Sequence, residues 1–182
     1  FYRSAKKVWN LWSEDLQHFA PKDNSGKWAS PFDINVCRKD SWNDPYFYEG
    51  VSRSWTYNVQ ADFAGLVARC GGEVGFEQHL DRYFEDKKII AKETFMHIPY
   101  LYHYANRPDK SSKIVRRILS KAYKPERFGI PDNEDMGCHS AFYICGLLGI
   151  YPMMGQDWYF LVAPAFERSV IRLGQSGAEL IL

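Results

Sequence analysis

The chain has 182 residues, 46% of them hydrophobic and 16% aromatic, enough apolar material to bury a sizeable core, which excludes an intrinsically disordered segment. Its 23 basic and 22 acidic residues leave a formal charge of +1 with no block of either sign, which removes the electrostatic argument for a nucleic-acid or anionic-membrane partner. No apolar run reaches the length of a membrane span and no signal peptide opens the sequence.

Phe1 has no Met before it, and the residues that follow read as the middle of an amphipathic helix, which predicts a piece of a larger protein. From Tyr2 to Trp12, the apolar residues Ala5, Val8, Trp9 and Trp12 recur at spacings of three and four, so a helix packed on one side is expected. Between Asp15 and Pro31 the turn formers Pro21, Asp23, Asn24, Ser25, Gly26 and Pro31 accumulate, and Asn24–Gly26 reads as a hairpin turn. Val59 to Cys70 predicts a helix with Phe63, Leu66, Val67 and Cys70 on one face, closed by Gly71 and Gly72. Glu73 to Phe84 predicts the next, with Phe76, Leu80, Tyr83 and Phe84 inward; the short connection makes the two an antiparallel hairpin. Ser111 to Tyr123 is a further amphipathic pattern, with Ile114, Val115, Ile118, Leu119 and Ala122 on the apolar side.

The stretch PDNEDMGCHSAFYICGLLGIYP, Pro131 to Pro152, sets acids directly against apolar residues. Asp132, Asn133, Glu134 and Asp135 follow a proline and precede Gly137, so they read as a loop and a helix N-terminus, where unpaired amides favour negative charge. From Cys138 the pattern is apolar on nearly every face, through Ala141, Phe142, Tyr143, Ile144, Cys145, Leu147, Leu148 and Ile150, which predicts an interior helix. Such a loop suits catalytic acids or metal ligands, and solvated capping acids are the plain alternative. Beyond Pro152 short strand-like runs follow, at Tyr159 to Ala163, Val170 to Leu173 and Leu180 to Leu182. The cysteines Cys37, Cys70, Cys138 and Cys145 lack zinc-site spacing and are read as free, buried thiols.

The stretch resembles the catalytic loop of glycoside hydrolase family 92, the calcium-dependent exo-acting α-mannosidases. The matching residues are Pro131, Asn133, Glu134, Asp135, Gly137, Ser140, Ala141, Phe142, Tyr143, Gly149, Tyr151 and Pro152. Asp132 stands where the family has Gly, and His139 where it has Met. The same resemblance runs through FAPKDNSGKWASPF (Phe19 to Phe32), YFYEG (Tyr46 to Gly50) and on to Leu66, the two helices around Gly71, and KETFMHIPYLYHYA (Lys92 to Ala105). Arg53 and Ala61 replace a Trp and a His of the family pattern, and Lys92, Thr94, Phe95 and Met96 replace an Asn, a Pro, a Ser and a His.

The resemblance implies a mainly α fold, part of an (α/α)6 toroid with a short C-terminal β region. Residues 1–157 would belong to the C-terminal portion of the barrel and 158–182 would be strands closing the domain. Half a toroid leaves apolar faces bare at roughly 25 cal/mol per Å², so the remaining N-terminal part of the same protein, or a second chain, is expected to complete it. The implied activity is inverting hydrolysis of terminal α-mannosides, α-1,2-linked, on a mannose-containing glycan such as an N-glycan, with calcium, in an exported protein. Glu49 would be the general acid, kept protonated among Tyr46, Phe47, Tyr48 and Trp55, an exposed glutamate being the plain alternative. Asp135 would be the base, roughly 6.5 to 9.5 Å from the acid, steadied by Asn133. Glu134, Glu93, His97, Trp55 and Asp62 would serve the substrate, and Glu93 and Asp135 the metal; His97 is equally readable as a core histidine. A carbohydrate-binding relative without catalysis, and another toroid glycosidase, are the alternative functions.

Overall fold

The computed structural model describes residues 5–37, 42–85 and 92–182, and the chain divides into two compact units, Phe1–Lys87 and Lys88–Leu182. The expected first helix begins outside the described residues. Where it is described it is a 3-10 helix, Lys6–Leu11, with none of its residues fully buried. Trp12 leaves the helical path to pair with Phe19, so that β1 (Trp12–Ser13) and β2 (His18–Phe19) form a small antiparallel ladder. The tryptophans explain the departure: Trp9, Trp12 and Phe19 pack ring against ring at 5.5 to 6.1 Å, an arrangement that an unbroken helix through Trp12 would not allow. The expected turn at Asn24–Gly26 is present. Asp23 Oδ1 accepts from the Ser25 and Lys27 amides, and Lys22 bridges Trp28.

Strand β2 is fastened to the short helix α1 (Ser52–Trp55) by buried hydroxyls. Ser52 donates to the Phe19 carbonyl, and the Phe19 amide donates to Thr56 Oγ1 at 3.2 Å. Helix α2 (Phe63–Arg69) starts at Asp62, whose carboxylate accepts from the Gly65 amide at 3.0 Å, and buries Phe63 and Leu66. Cys70 ends it and is buried, and Gly71 and Gly72 follow with φ of +89° and +82°. Helix α3 (Gly72–Glu85) then packs back on α2 as the spacing predicts, burying Phe76, Leu80, Tyr83 and Phe84, and also His79. Gly75 allows the close turn, since a Cβ there would lie 1.8 Å from the Cys70 carbonyl oxygen.

The second unit opens with two 3-10 helices, Glu93–Phe95 and Ile98–Ala105. The latter packs against α4 (Pro108–Ala122), which begins three residues before the expected start because Pro108 fills the first helical turn. Ser111, Val115, Ile118 and Leu119 form the buried stripe of α4. Gly146 of α5 (Cys138–Leu148) meets that stripe so closely that an added Cβ would lie 2.9 Å from Leu119 Cδ1.

Contrary to the interior helix that its composition predicts, α5 is buried on one side only. His139, Phe142 and Gly146 are buried, whereas Ile144 is 55% exposed and Tyr143 37%. A single neighbouring helix covers a single stripe, and these residues supply one such neighbour. The helix also stops two residues before Ile150. Gly149 turns the chain at φ +78°, and Ile150–Pro152 becomes β3, paired antiparallel with β4 (Tyr159–Leu161). Tyr151 of β3 stacks on Tyr100 at 4.1 Å. A separate hairpin, β5 (Val170–Leu173) with β6 (Ala178–Ile181), follows. All four cysteines are free, but only Cys70 is buried; Cys37, Cys138 and Cys145 are partly exposed, so the expectation of buried thiols holds for one. No described helix is long and apolar enough to cross a membrane.

Candidate active site

The acid loop owes its shape to its own backbone. Asp135, Met136 and Gly137 take left-handed φ values of +45°, +58° and +87° in succession. Left-handed backbone costs a non-glycine residue about 1–2 kcal/mol, so two such residues together mark a loop held by its surroundings. Glu134 supplies one hold: its Oε1 accepts from the Ser140 amide at 2.9 Å, capping the first turn of α5. The backbone carbonyls of Asp135 and Glu134 accept from Cys138 and His139. The Ser140 amide, then the Ser140 hydroxyl, and the His139 charge keep the Glu134 carboxyl below the usual carboxylate range. Asn133 and Asp135 are left exposed at the tip. The capping reading is thus correct for Glu134, while the geometry presents Asn133 and Asp135 outward.

Two further residues support the loop. Lys92 Nζ stands 3.2 Å from Asp132 Oδ2, which brings the turn containing Glu93 beside the acids. Burial alone would raise the Asp132 pKa, but the Asn133 amide, the Lys92 ammonium and His139 outweigh it and lower it. Beneath the loop His139 is wholly buried, with Nδ1 3.0 Å from the Tyr123 hydroxyl. His97 is likewise buried, at 2% exposure, which places it in the core of this unit.

Glu49 belongs to the other unit. It too has left-handed backbone, φ +54°, in a turn where the Tyr46 and Phe47 amides donate to Asp44 Oδ1. Trp55 Nε1–H donates to the Tyr48 carbonyl at 2.8 Å, so Trp55 lies against the Glu49 turn as the sequence suggests. An open groove of about 380 Å³ is lined here by Phe19, Tyr46, Phe47, Tyr48, Trp55 and Asn58. The aromatic surround is a wall and not an enclosure: Tyr46 is 40% and Tyr48 54% exposed. Low dielectric requires cover on both sides, and the described residues of this unit supply one.

Asp62 is engaged in the fold of this unit. Besides capping α2 it accepts from Trp9 Nε1 at 2.9 Å, so both of its oxygens serve the local fold. Arg53 is a clamp: it donates to Asn35 Oδ1 at 3.2 Å and to the Arg82 carbonyl, and lies over the Tyr83 ring.

Sequence reasoning passed over His139 and Tyr123, which hold the loop from below. The signal was the spacing of His139 with Phe142 and Gly146, one stripe of α5. Calcium requires about six to eight oxygen ligands. Among the described residues no group of three or more His, Cys, Asp or Glu converges on a metal-sized position. Glu93 and Asp135 therefore do not amount to a calcium shell by themselves.

Comparison with known proteins bears on these motifs directly. The model of the glycosyl hydrolase family 92 catalytic domain matches residues 1–182. A protein of Arthroderma benhamiae described as an uncharacterized secreted glycosidase is 29% identical over 162 residues, covering 85% of this chain and 21% of its own length. The family GH92 inverting mannosidase of Bacteroides thetaiotaomicron is 26% identical, with a TM-score of 0.83 over 99% of this chain and 27% of that one. A second family GH92 α-mannosidase of that bacterium, in complex with mannoimidazole, gives 0.85 at 23% identity over 100% of this chain and 26% of its own, a likeness of fold. The chain thus spans about a quarter of the length of the solved structures and about a fifth of the fungal relative. With its model matched from the first residue to the last, the chain belongs to glycosyl hydrolase family 92, as part of the catalytic domain.

Proposed function

We propose that this chain carries both catalytic carboxylates of an exo-acting α-mannosidase that works with inversion. The observation that supports the reading most is that Glu49 and Asp135, each within a family motif, both sit on left-handed backbone in turns, the kind of local strain that gathers at functional sites. Glu49 would protonate the departing glycosidic oxygen, and Asp135 would deprotonate the attacking water on the opposite face of the sugar. Asn133, exposed beside Asp135, would orient that water or a hydroxyl of the sugar. Glu134, fixed by Ser140, would bear on the substrate chiefly by keeping the loop in shape. Trp55 and the tyrosines of the Glu49 turn would offer ring faces to the sugar, with Glu93 and His97 as less direct supports. Asp62 would act from its cap position, through Trp9 and α2.

The substrate proposed is a terminal α-1,2-linked mannose of a glycan such as an N-glycan, in an exported protein. The setting proposed is an (α/α)6 toroid in which segments outside residues 1–182, or a second chain, cover the exposed side of α5. Calcium belongs to the proposal with Glu93 and Asp135 as the ligands from this chain and the remaining oxygens from elsewhere. No step above depends on it.

The test uses the natural polypeptide that carries this chain, assayed on aryl α-mannosides and on α-1,2-mannobiose. Glu49→Gln should lose about 10²- to 10⁴-fold on the disaccharide and far less on an aryl leaving group that needs no proton. Asp135→Asn should lose a similar factor on both substrates. Free mannose released at the wild-type rate by either variant on the disaccharide overturns the assignment.

A further inference from the structure

The loop that presents Asp135 is fastened to a segment far from it in sequence. Lys92 precedes the 3-10 helix Glu93–Phe95, and its ammonium reaches Asp132 Oδ2 at 3.2 Å, with the two side chains 31% and 29% exposed. Asp132 uses its other oxygen, Oδ1, to accept from the Asn133 amide at 2.9 Å. One carboxylate therefore grips both the start of the acid loop and the turn that carries Glu93. At the far end of the loop Glu134 is fixed to Ser140, and His139 lies buried beneath, its Nδ1 3.0 Å from the Tyr123 hydroxyl. Between Asp132 and Ser140 lie the left-handed Asp135 and Met136, a conformation the backbone does not choose unaided.

We propose that Lys92 is a positioning residue, which acts through Asp132 to hold the Glu93 turn against the loop bearing Asp135. The proposal rests on the hydrolase reading of that loop. Positioning of this kind acts on the reacting geometry, so it belongs in kcat and not in KM. An ion pair about one-third exposed is partly screened, so the effect should also weaken as salt rises.

The experiment is a double-mutant cycle in the natural polypeptide, with Lys92→Met, Asp132→Asn and the two combined, and Lys92→Arg as the conservative variant. Two readouts are taken: kcat and KM on an aryl α-mannoside, and amide exchange across residues 132–137. Each single substitution should lower kcat by about fivefold or more with KM within about twofold, the double should be no worse than the worse single, and Lys92→Arg should regain most of the loss. Exchange in the loop should quicken equally in both singles. Additive losses, an effect confined to KM, or unchanged loop exchange overturns the proposal. Should the wild-type protein release no mannose, the hydrolase reading fails by itself, and the exchange cycle alone decides whether Lys92 holds the loop.

Discussion

Acid should loosen the first unit through a pair of buried imidazoles. His18 and His79 face each other with ring centroids 4.6 Å apart and are 9% and 2% exposed. His79 Nε2 lies 3.0 Å from the Gln17 carbonyl, which only accepts, so this nitrogen carries the proton; Nδ1 then takes the Tyr57 hydroxyl at 2.8 Å. A second proton has no favourable place. Burial, and then the His18 charge with Arg82 and Arg53 behind it, drives the His79 pKa from 6.5 down to about 3, against the opposing hydrogen bond to Gln17. His18 is lowered too, by burial first and by Arg53 and Arg82, with its bond to the Leu16 carbonyl acting against them.

Because the folded value lies below the unfolded one, the neutral pair contributes fully above pH 6.5. Below that the unfolded chain takes up a proton that the folded chain refuses, and stability falls until the folded pKa is reached. For His79 alone this amounts to about 2 kcal/mol at pH 5 and about 3 kcal/mol at pH 4. Urea denaturation at pH 8 and pH 5, followed by the fluorescence of the Trp9 and Trp12 cluster, measures it. His79→Gln, which keeps an amide donor for Gln17 but cannot ionise, should remove about 2 kcal/mol of the difference between the two pH values. An unchanged difference in the variant would refute the reasoning.

Two substitutions test the backbone of the second unit. Met136 is fully exposed at φ +58°, so Met136→Gly should relieve left-handed strain, net of the added freedom of the unfolded chain, and raise stability by about 0.5–1 kcal/mol. Denaturant midpoints read this directly, and a loss of stability would mean that the side chain is covered in the assembled protein. Gly149 turns α5 into β3 at φ +78°, and a Cβ there would meet the Val162 carbonyl oxygen at 2.5 Å. Gly149→Ala should therefore cost about 1–3 kcal/mol, seen as a lowered Tm, and a neutral result would show that the hairpin can move aside.

Periodicity determined the helices whose burial is one-sided: α3 buries all the residues that spacing puts on its apolar face, and α2 and α4 bury most of theirs, with Val67, Ile114 and Ala122 only half-buried, because a helix samples its surroundings every third or fourth position. Motif spacing determined the family and singled out Glu49 and Asp135, since backbone in special conformations leaves fixed residue types at fixed intervals. The sequence could not show which sides of α5 these residues cover. Apolar residues all round a helix state a need for neighbours without saying where they stand. The 3-10 path of Lys6–Leu11 was decided by Trp12 turning to meet Phe19. The pairing of Ile150–Pro152 with Tyr159–Leu161 was decided by the turn at Gly149. Lys92 with Asp132 and His79 with Gln17, the latter 62 residues apart, are contacts that exist only once the chain has folded back on itself. Charge and hydrogen bonding act through space, and a single sequence records the order of residues along the chain, not which of them meet.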